Sequence, residues 1–236
     1  MTLRALCLVL TALPLWGGEF TSQLWTDIRP IYQKTIEHPF LKGLADGTLP
    51  RDRFQFYLLQ DRRYLRVFGQ ALSVLASKAP RPEWAATLNR HAIDSLKEEQ
   101  TLHEKILAGW GVPPAAMDAA MAPSNYAYTN HLLAAVHRLS FAEGLAAMLP
   151  CYWIYEEVGK ELKKRGSKDP AYQRWIDNYA GDEYGAVVKQ VLAMMDEEAA
   201  RSSPAVRQSA RELFVISARY EYLFWDAAWR LEKWAP

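Results

Sequence analysis

Cysteine is scarce in this chain, and charge of either sign shows no excess. Only Cys7 and Cys151 are present among 236 residues, and Cys7 lies in a segment that we expect to be removed. A structural disulfide is therefore not predicted. The formal net charge is +1 at pH 7. Since no basic surplus exists, composition gives no reason to expect nucleic acid as a partner.

Strand-like patterns are also missing. No stretch alternates polar and apolar residues over several positions between turn signals, as a half-buried strand would. From Phe20 onward, apolar residues instead recur at helical spacing, and half of the chain is hydrophobic. There is no internal repeat, low-complexity tract or linker. We therefore predict one all-α domain over residues 19–236, with enough apolar material for a sizeable core.

The first 18 residues have features of a signal peptide. Arg4 precedes an apolar run from Ala5 to Trp16, and Gly17 and Gly18 follow. The run has the length of a signal-peptide core and is too short to span a bilayer as a helix. We expect residues 1–18 to be cleaved and the protein to be exported, periplasmic or secreted, without stable membrane insertion afterwards. An ordinary apolar N-terminal segment of a cytoplasmic protein is the alternative, because no clean cleavage motif is present.

Turn and capping signals divide the rest of the chain into helices. Proline and glycine end or start most of them, and Ser203 with Pro204 forms a typical helix start. The predicted helices span about 21–37, 51–77, 82–108, 125–139, 141–164, 171–179, 183–200 and 203–234.

The helix predicted over 141–164 carries the most unusual stretch. Ser140 and Glu143 match a capping box at its start. Pro150 removes a backbone donor, so we expect a kink just before Cys151. Cys151 and Tyr155 are four residues apart and share a helix face. A buried thiol beside a phenol indicates either tight packing, in which cysteine serves as a small hydrophobe, or a reactive site.

Two carboxylates fall on apolar helix faces. Asp61 lies in the middle of an inward stripe that runs from Phe54 to Phe68, and Glu221 shares a face with Phe224 and Trp225. Burying a lone carboxylate is costly, so each should have a partner or a ligand. An aromatic-walled pocket with two carboxylates suits a flat, nitrogen-rich heterocycle. Spacing alone does not bring these residues and Cys151 together.

A carboxylate–histidine pair, Glu99 and His103, could form half of a metal site. A di-iron bundle needs such pairs on facing helices, and no other helix offers one. We therefore predict no metal ligands and interpret this segment as a solvated, charged helix face.

Seven short motifs, in order over about Phe20 to the C-terminus, resemble the TenA family, also called thiaminase II or aminopyrimidine aminohydrolases. No single motif is specific for this family, whereas the whole set in this order is specific for it. The motifs are His38-Pro39-Phe40; Gly47-Thr48-Leu49-Pro50; Leu59-Gln60-Asp61 with Tyr64; Tyr126-Ala127-Tyr128-Thr129; Pro150-Cys151-Tyr152-Trp153 with Tyr155; Trp175 with Tyr179; and Tyr220-Glu221-Tyr222 with Phe224-Trp225.

This resemblance implies a heme-oxygenase-like helical bundle without heme, a homotetramer in most members, and no cofactor. It implies that Cys151 is the nucleophile, Glu221 the acid and base, and Asp61 the carboxylate that holds an aminopyrimidine. Within this resemblance, the presence of Cys151 points to the cysteine-containing branch of the family. The resemblance also implies pocket-wall and hydrogen-bonding positions, which are Tyr64, Tyr128, Tyr155, Tyr179 and Phe224.

The implied function is a hydrolase of thiamin salvage. It would convert 4-amino-5-aminomethyl-2-methylpyrimidine, its formyl derivative or thiamin to 4-amino-5-hydroxymethyl-2-methylpyrimidine. Two alternatives stay open. One is a thiamin- or aminopyrimidine-binding protein without catalysis. The other is a di-iron or heme enzyme on the same bundle, with His38, His91 or His103 as a ligand.

Overall fold

A computed structural model describes residues 18–113, 116–117 and 119–236. These residues form α-helices and connecting turns, with no strand among them, as the sequence predicts. Most of the predicted signal peptide, residues 1–17, lies outside the described residues.

The helices follow one another through short connections. In chain order they are α1 (Glu19–Ile36), α2 (Pro39–Asp46), α3 (Arg51–Ser77), α4 (Pro82–Asp94), α5 (Gln100–Gly109), α6 (Pro123–Arg138), α7 (Phe141–Lys163), α8 (Pro170–Tyr179), α9 (Asp182–Arg201) and α10 (Pro204–Arg230).

Side-chain caps fix several helix starts where the sequence predicts them. Ser140 and Glu143 form a complete capping box at α7, and the Ser203 hydroxyl accepts from the backbone N–H of Val206 at α10. Helix α1 is different, because its cap comes from a distant helix. Asp196 of α9 accepts hydrogen bonds from the backbone N–H groups of Gly18 and Thr21, at 2.7 and 2.9 Å.

Helix α7 is the centre of the bundle. All residues from Gly144 to Tyr155 are buried and this stretch is apolar on every face, as expected for a helix surrounded by others. It packs most extensively against α10 and also contacts α6, α8 and α9. It continues without interruption through Pro150. This packing places Cys151 beside α3 and α9.

The helix predicted over 82–108 is divided in the structure. A π-helical turn, Ser95–Glu99, separates α4 from α5. A π-turn carries an extra residue relative to α-helical winding and is frequent at functional sites. Apolar spacing predicts a helix but does not show an inserted residue of this kind, so one helix is predicted where two are found.

The last helix is shorter than predicted. It ends at Arg230, because Leu231 adopts a left-handed conformation with φ 52°. No helix within the described ranges is both long and apolar enough to cross a membrane.

Candidate active site

Cys151 lies at the wall of a cavity of about 280 Å³ between α3, α4, α7 and α9. Its side chain is almost completely buried, with 9% of the residue exposed. Phe68 and Tyr152 line the cavity beside it, and Asp94 and Glu183 lie near solvent. The Tyr184 hydroxyl donates to the backbone oxygen of Cys151 at 3.4 Å. A small molecule could therefore reach the thiol from this side.

Glu221 lies on α10 and is 2% exposed. The Tyr128 hydroxyl donates to its Oε1 at 2.6 Å. Burial raises the pKa of Glu221 to about 8, although the bond from Tyr128 opposes this shift. Near neutral pH this carboxyl group can therefore both give and take a proton, which is the requirement for a general acid that later acts as a base.

Asp61, on α3, is also 2% exposed. The Tyr57 hydroxyl donates to its Oδ2 at 3.3 Å, and the Trp175 indole N–H donates to the Tyr57 oxygen at 3.2 Å. The pKa of Asp61 is raised to about 8, mainly by burial and also by the charge of Glu221, while the bond from Tyr57 opposes the shift. The two carboxyl groups thus lie close enough to influence each other electrostatically.

Aromatic rings connect the thiol to both carboxyl groups. Tyr64 lies beside Cys151, and burial raises the pKa of its hydroxyl first, with the nearby thiol adding to the shift. The Tyr64 ring centroid lies 5.1 Å from that of Tyr128 and 5.7 Å from that of Phe224. Centroid distances in this range are typical of favourable aromatic pairs.

The remaining two predicted wall residues belong to the same cluster. Tyr155 and Tyr179 have ring centroids 4.9 Å apart, and the Tyr57 hydroxyl lies 3.4 Å from that of Tyr155. All eight residues selected from the sequence are therefore brought together by α3, α6, α7, α8 and α10. Their chemistry combines one thiol, two carboxyl groups of raised pKa and closely packed aromatic rings.

Two residues of this cluster were not selected from the sequence. Tyr57 contacts both Asp61 and Tyr155, and it lies one helical turn before Asp61, so the stripe on α3 could have indicated it. His103 has 0% exposure, and its Nε2 lies 3.4 Å from Asp61 Oδ2. The interpretation of its segment as a solvated face was wrong at this residue, because α5 turns His103 toward α3.

The other two histidines considered as heme or metal ligands, His38 and His91, make contacts outside the cluster around Asp61. His38 accepts from the backbone N–H of Phe40 and so caps α2. His91 Nδ1 lies 3.3 Å from the Tyr152 hydroxyl. Among the described side chains, no three of the His, Cys, Asp and Glu type are grouped so that they could hold a metal ion.

Comparison with known proteins places this chain in a family. Residues 25–231 match the model of the TENA/THI-4/PQQC family, and the chain belongs to that family. An aminopyrimidine aminohydrolase of Bacillus subtilis is 38% identical over 205 residues, which cover 86% of this chain and 87% of that protein.

Solved structures agree with this assignment. A TenA homologue from P. horikoshii OT3 has a TM-score of 0.83 and 32% identity, covering 89% of this chain and 98% of its own. A domain of unknown function with a heme oxygenase-like fold, from Shewanella denitrificans, has a TM-score of 0.71 at 12% identity, covering 89% and 92% of the two chains. The predicted heme-oxygenase-like helical fold is confirmed.

Proposed function

We propose that this protein is a C–N hydrolase of thiamin salvage that uses Cys151 as its nucleophile. Its substrate would be 4-amino-5-aminomethyl-2-methylpyrimidine, with the formyl derivative and thiamin as further candidates. The name of the B. subtilis relative supports the reaction class. The observation that carries the proposal is the placement of one thiol and two buried carboxyl groups in a single aromatic cluster.

The first step would be addition of the Cys151 sulfur to the free ring carbon of the pyrimidine. Direct loss of the amine would leave a poorly stabilised cation on the methylene carbon. The thiol proton passes to a ring nitrogen as the sulfur adds, and it returns to sulfur when the carbon–sulfur bond breaks. The addition supplies an electron pair to the ring, and that pair then expels the amine. Asp61, whose raised pKa lets it hold a proton near neutral pH, would donate to the ring nitrogen on which negative charge accumulates and accept from the exocyclic amine.

Glu221 would protonate the leaving group and then act as a base. Its raised pKa lets it hold a proton at neutral pH and give it to the departing amine as the C–N bond breaks. The resulting carboxylate then takes a proton from water as the water oxygen bonds to the methylene carbon. The carbon–sulfur bond breaks last and the ring is restored. The sum is substrate plus water to hydroxymethylpyrimidine plus amine, so no oxidant is required.

Product analysis tests this proposal. The purified protein should be incubated in parallel with the aminomethylpyrimidine, its formyl derivative and thiamin. We expect formation of 4-amino-5-hydroxymethyl-2-methylpyrimidine together with ammonia, formamide or the free thiazole, respectively. Binding of these compounds without any product would contradict the enzyme and favour a carrier.

We propose in addition that the protein is a homotetramer. This rests on the family resemblance in the sequence alone. Light scattering of the purified protein should give four times the protomer mass, and a stable monomer would contradict it.

A further inference from the structure

His103 is an unusual residue for the interior of a protein. It has no exposed surface, and among the described residues neither of its ring nitrogens has a hydrogen-bond partner of good geometry. Buried polar groups are nearly always hydrogen-bonded, so an exception of this kind needs an explanation. The residue lies in the first turn of α5, the helix that follows the π-helical turn, and it faces Asp61 on α3.

The ring of His103 is neutral in this environment. Its pKa is lowered to about 3, mainly by burial and also by the charge of Arg62. A neutral imidazole carries one N–H, which can be on either nitrogen. If the proton is on Nε2, the ring can donate to the carboxyl group of Asp61 without adding a charge to the site.

The group in front of Nε2 is Asp61. The distance from Nε2 to Oδ2 is 3.4 Å, slightly longer than a normal hydrogen bond. The Tyr57 hydroxyl contacts the same oxygen at 3.3 Å. Within the described structure, both contacts to the Asp61 carboxyl group are made to Oδ2, which leaves Oδ1 for a ligand. In catalytic sites without ligand, hydrogen bonds are often long and tighten when substrate binds.

We propose that His103 is a positioning residue, which donates its Nε2–H to Oδ2 of Asp61 when an aminopyrimidine binds and so directs Oδ1 at the substrate. This inference rests on the proposed function, since it assigns Asp61 to substrate binding. Tyr57 holds the carboxylate from α3 itself, whereas His103 holds it from a different helix. Two contacts from different helices fix the rotation of the carboxylate better than one.

Paired amide variants test this role. In His103→Gln the amide nitrogen comes near the position of Nε2, and in His103→Asn it comes near Nδ1. The probe is 4-amino-5-hydroxymethyl-2-methylpyrimidine, the expected product, with affinity measured by calorimetry. We expect His103→Asn to weaken binding about 10-fold, the effect of losing one buried hydrogen bond. His103→Gln should restore most of that loss. His137→Asn, on the exposed end of α6, is the matched control and should bind like wild type.

A double variant separates positioning from simple packing. If His103 acts through Asp61, then His103→Asn should cause little further loss in an Asp61→Asn background. An equal loss in both backgrounds, or equal affinities of the Gln and Asn variants, would overturn the proposal. If the wild-type protein itself does not bind the pyrimidine, the proposed function fails, and this inference fails with it. Thermal unfolding of each variant shows that it is folded.

Discussion

At the scale of single residues, the buried carboxyl groups connect stability to pH. Burial raises the pKa of Glu221 from 4.5 to about 8, so the folded protein holds this proton while the unfolded chain releases it above about pH 4.5. The stabilising effect of the bound proton is complete below pH 4.5 and is lost as the pH rises through about 8.

We therefore predict that Glu221→Gln reduces the loss of stability between about pH 5 and 8. Glutamine has nearly the same shape and can still accept the bond from Tyr128, but it does not titrate. The free energy of unfolding of wild type relative to the variant should fall by up to about 1.4 kcal/mol per pH unit in this window. Chemical denaturation at several pH values measures it. A constant difference across the window would show that Glu221 has an ordinary pKa.

The second prediction at this scale concerns Asp61. Asp61→Asn should keep the fold and weaken aminopyrimidine binding by about 1.5–3 kcal/mol, the range for a hydrogen bond to a charged group. Titration calorimetry with the hydroxymethylpyrimidine gives the affinity, and circular dichroism checks the fold. Unchanged affinity in the folded variant would remove Asp61 from the binding site.

Residue patterns predicted this site only in part. The stripe on α3 indicates that Asp61 is buried, because three- and four-residue spacing is a local property of one helix. Contact of Cys151 with Tyr64, or of Glu221 with Tyr128, depends on how α3, α6, α7 and α10 pack, and spacing within one helix carries no such information. The family resemblance supplied that step. The burial of His103 was missed because its neighbours in the chain are charged.

At the scale of helices, one glycine allows α7 and α8 to approach closely. A Cβ atom at Gly159 of α7 would lie 2.7 Å from the backbone carbonyl carbon of Tyr179, which ends α8. Real Cβ atoms do not come so near to backbone atoms, so α8 would have to move. Tyr179 packs on Tyr155, and hence this glycine helps to place two predicted wall residues.

We predict that Gly159→Ala destabilises the protein by about 1–3 kcal/mol, as overpacking of a core does, and also lowers turnover. Gly109→Ala is the matched control. Gly109 is the last residue of α5, and a Cβ atom there would meet no packed neighbour within 4 Å among the described residues. Alanine at this position should therefore be neutral or slightly stabilising. Urea denaturation of both variants makes the comparison. Equal stabilities would mean that the contact between α7 and α8 adjusts without cost.

Most helices and their order could be predicted from sequence, and α3 was predicted with the observed bounds, whereas the short helix α2 was not predicted. Long amphipathic segments with proline or serine at the start give strong signals. The break between α4 and α5 was missed, since a π-turn preserves the apolar pattern closely enough to look like one helix. This local change matters for function because it precedes the helix that carries His103.

At the scale of the whole molecule, we predict that the N-terminal segment directs export and is removed. The family match begins only at residue 25, and the apolar run of residues 5–16 lies before it. Mass spectrometry of the protein from its native host should show an N-terminus between about Trp16 and Thr21. A full-length protein that starts at Met1 and stays in the cytoplasm would contradict this.

We infer that the whole bundle serves to place one reactive thiol against an aminopyrimidine. The most direct test is the rate at which Cys151→Ser forms the hydroxymethylpyrimidine, compared with wild type. We expect the variant to fold and to bind the pyrimidine but to lose most of its turnover, because a serine hydroxyl ionises far less readily than a thiol. Combining it with Glu221→Gln should add little further loss, since both residues act in one mechanism. A Cys151→Ser protein that turns over at the wild-type rate would contradict the account.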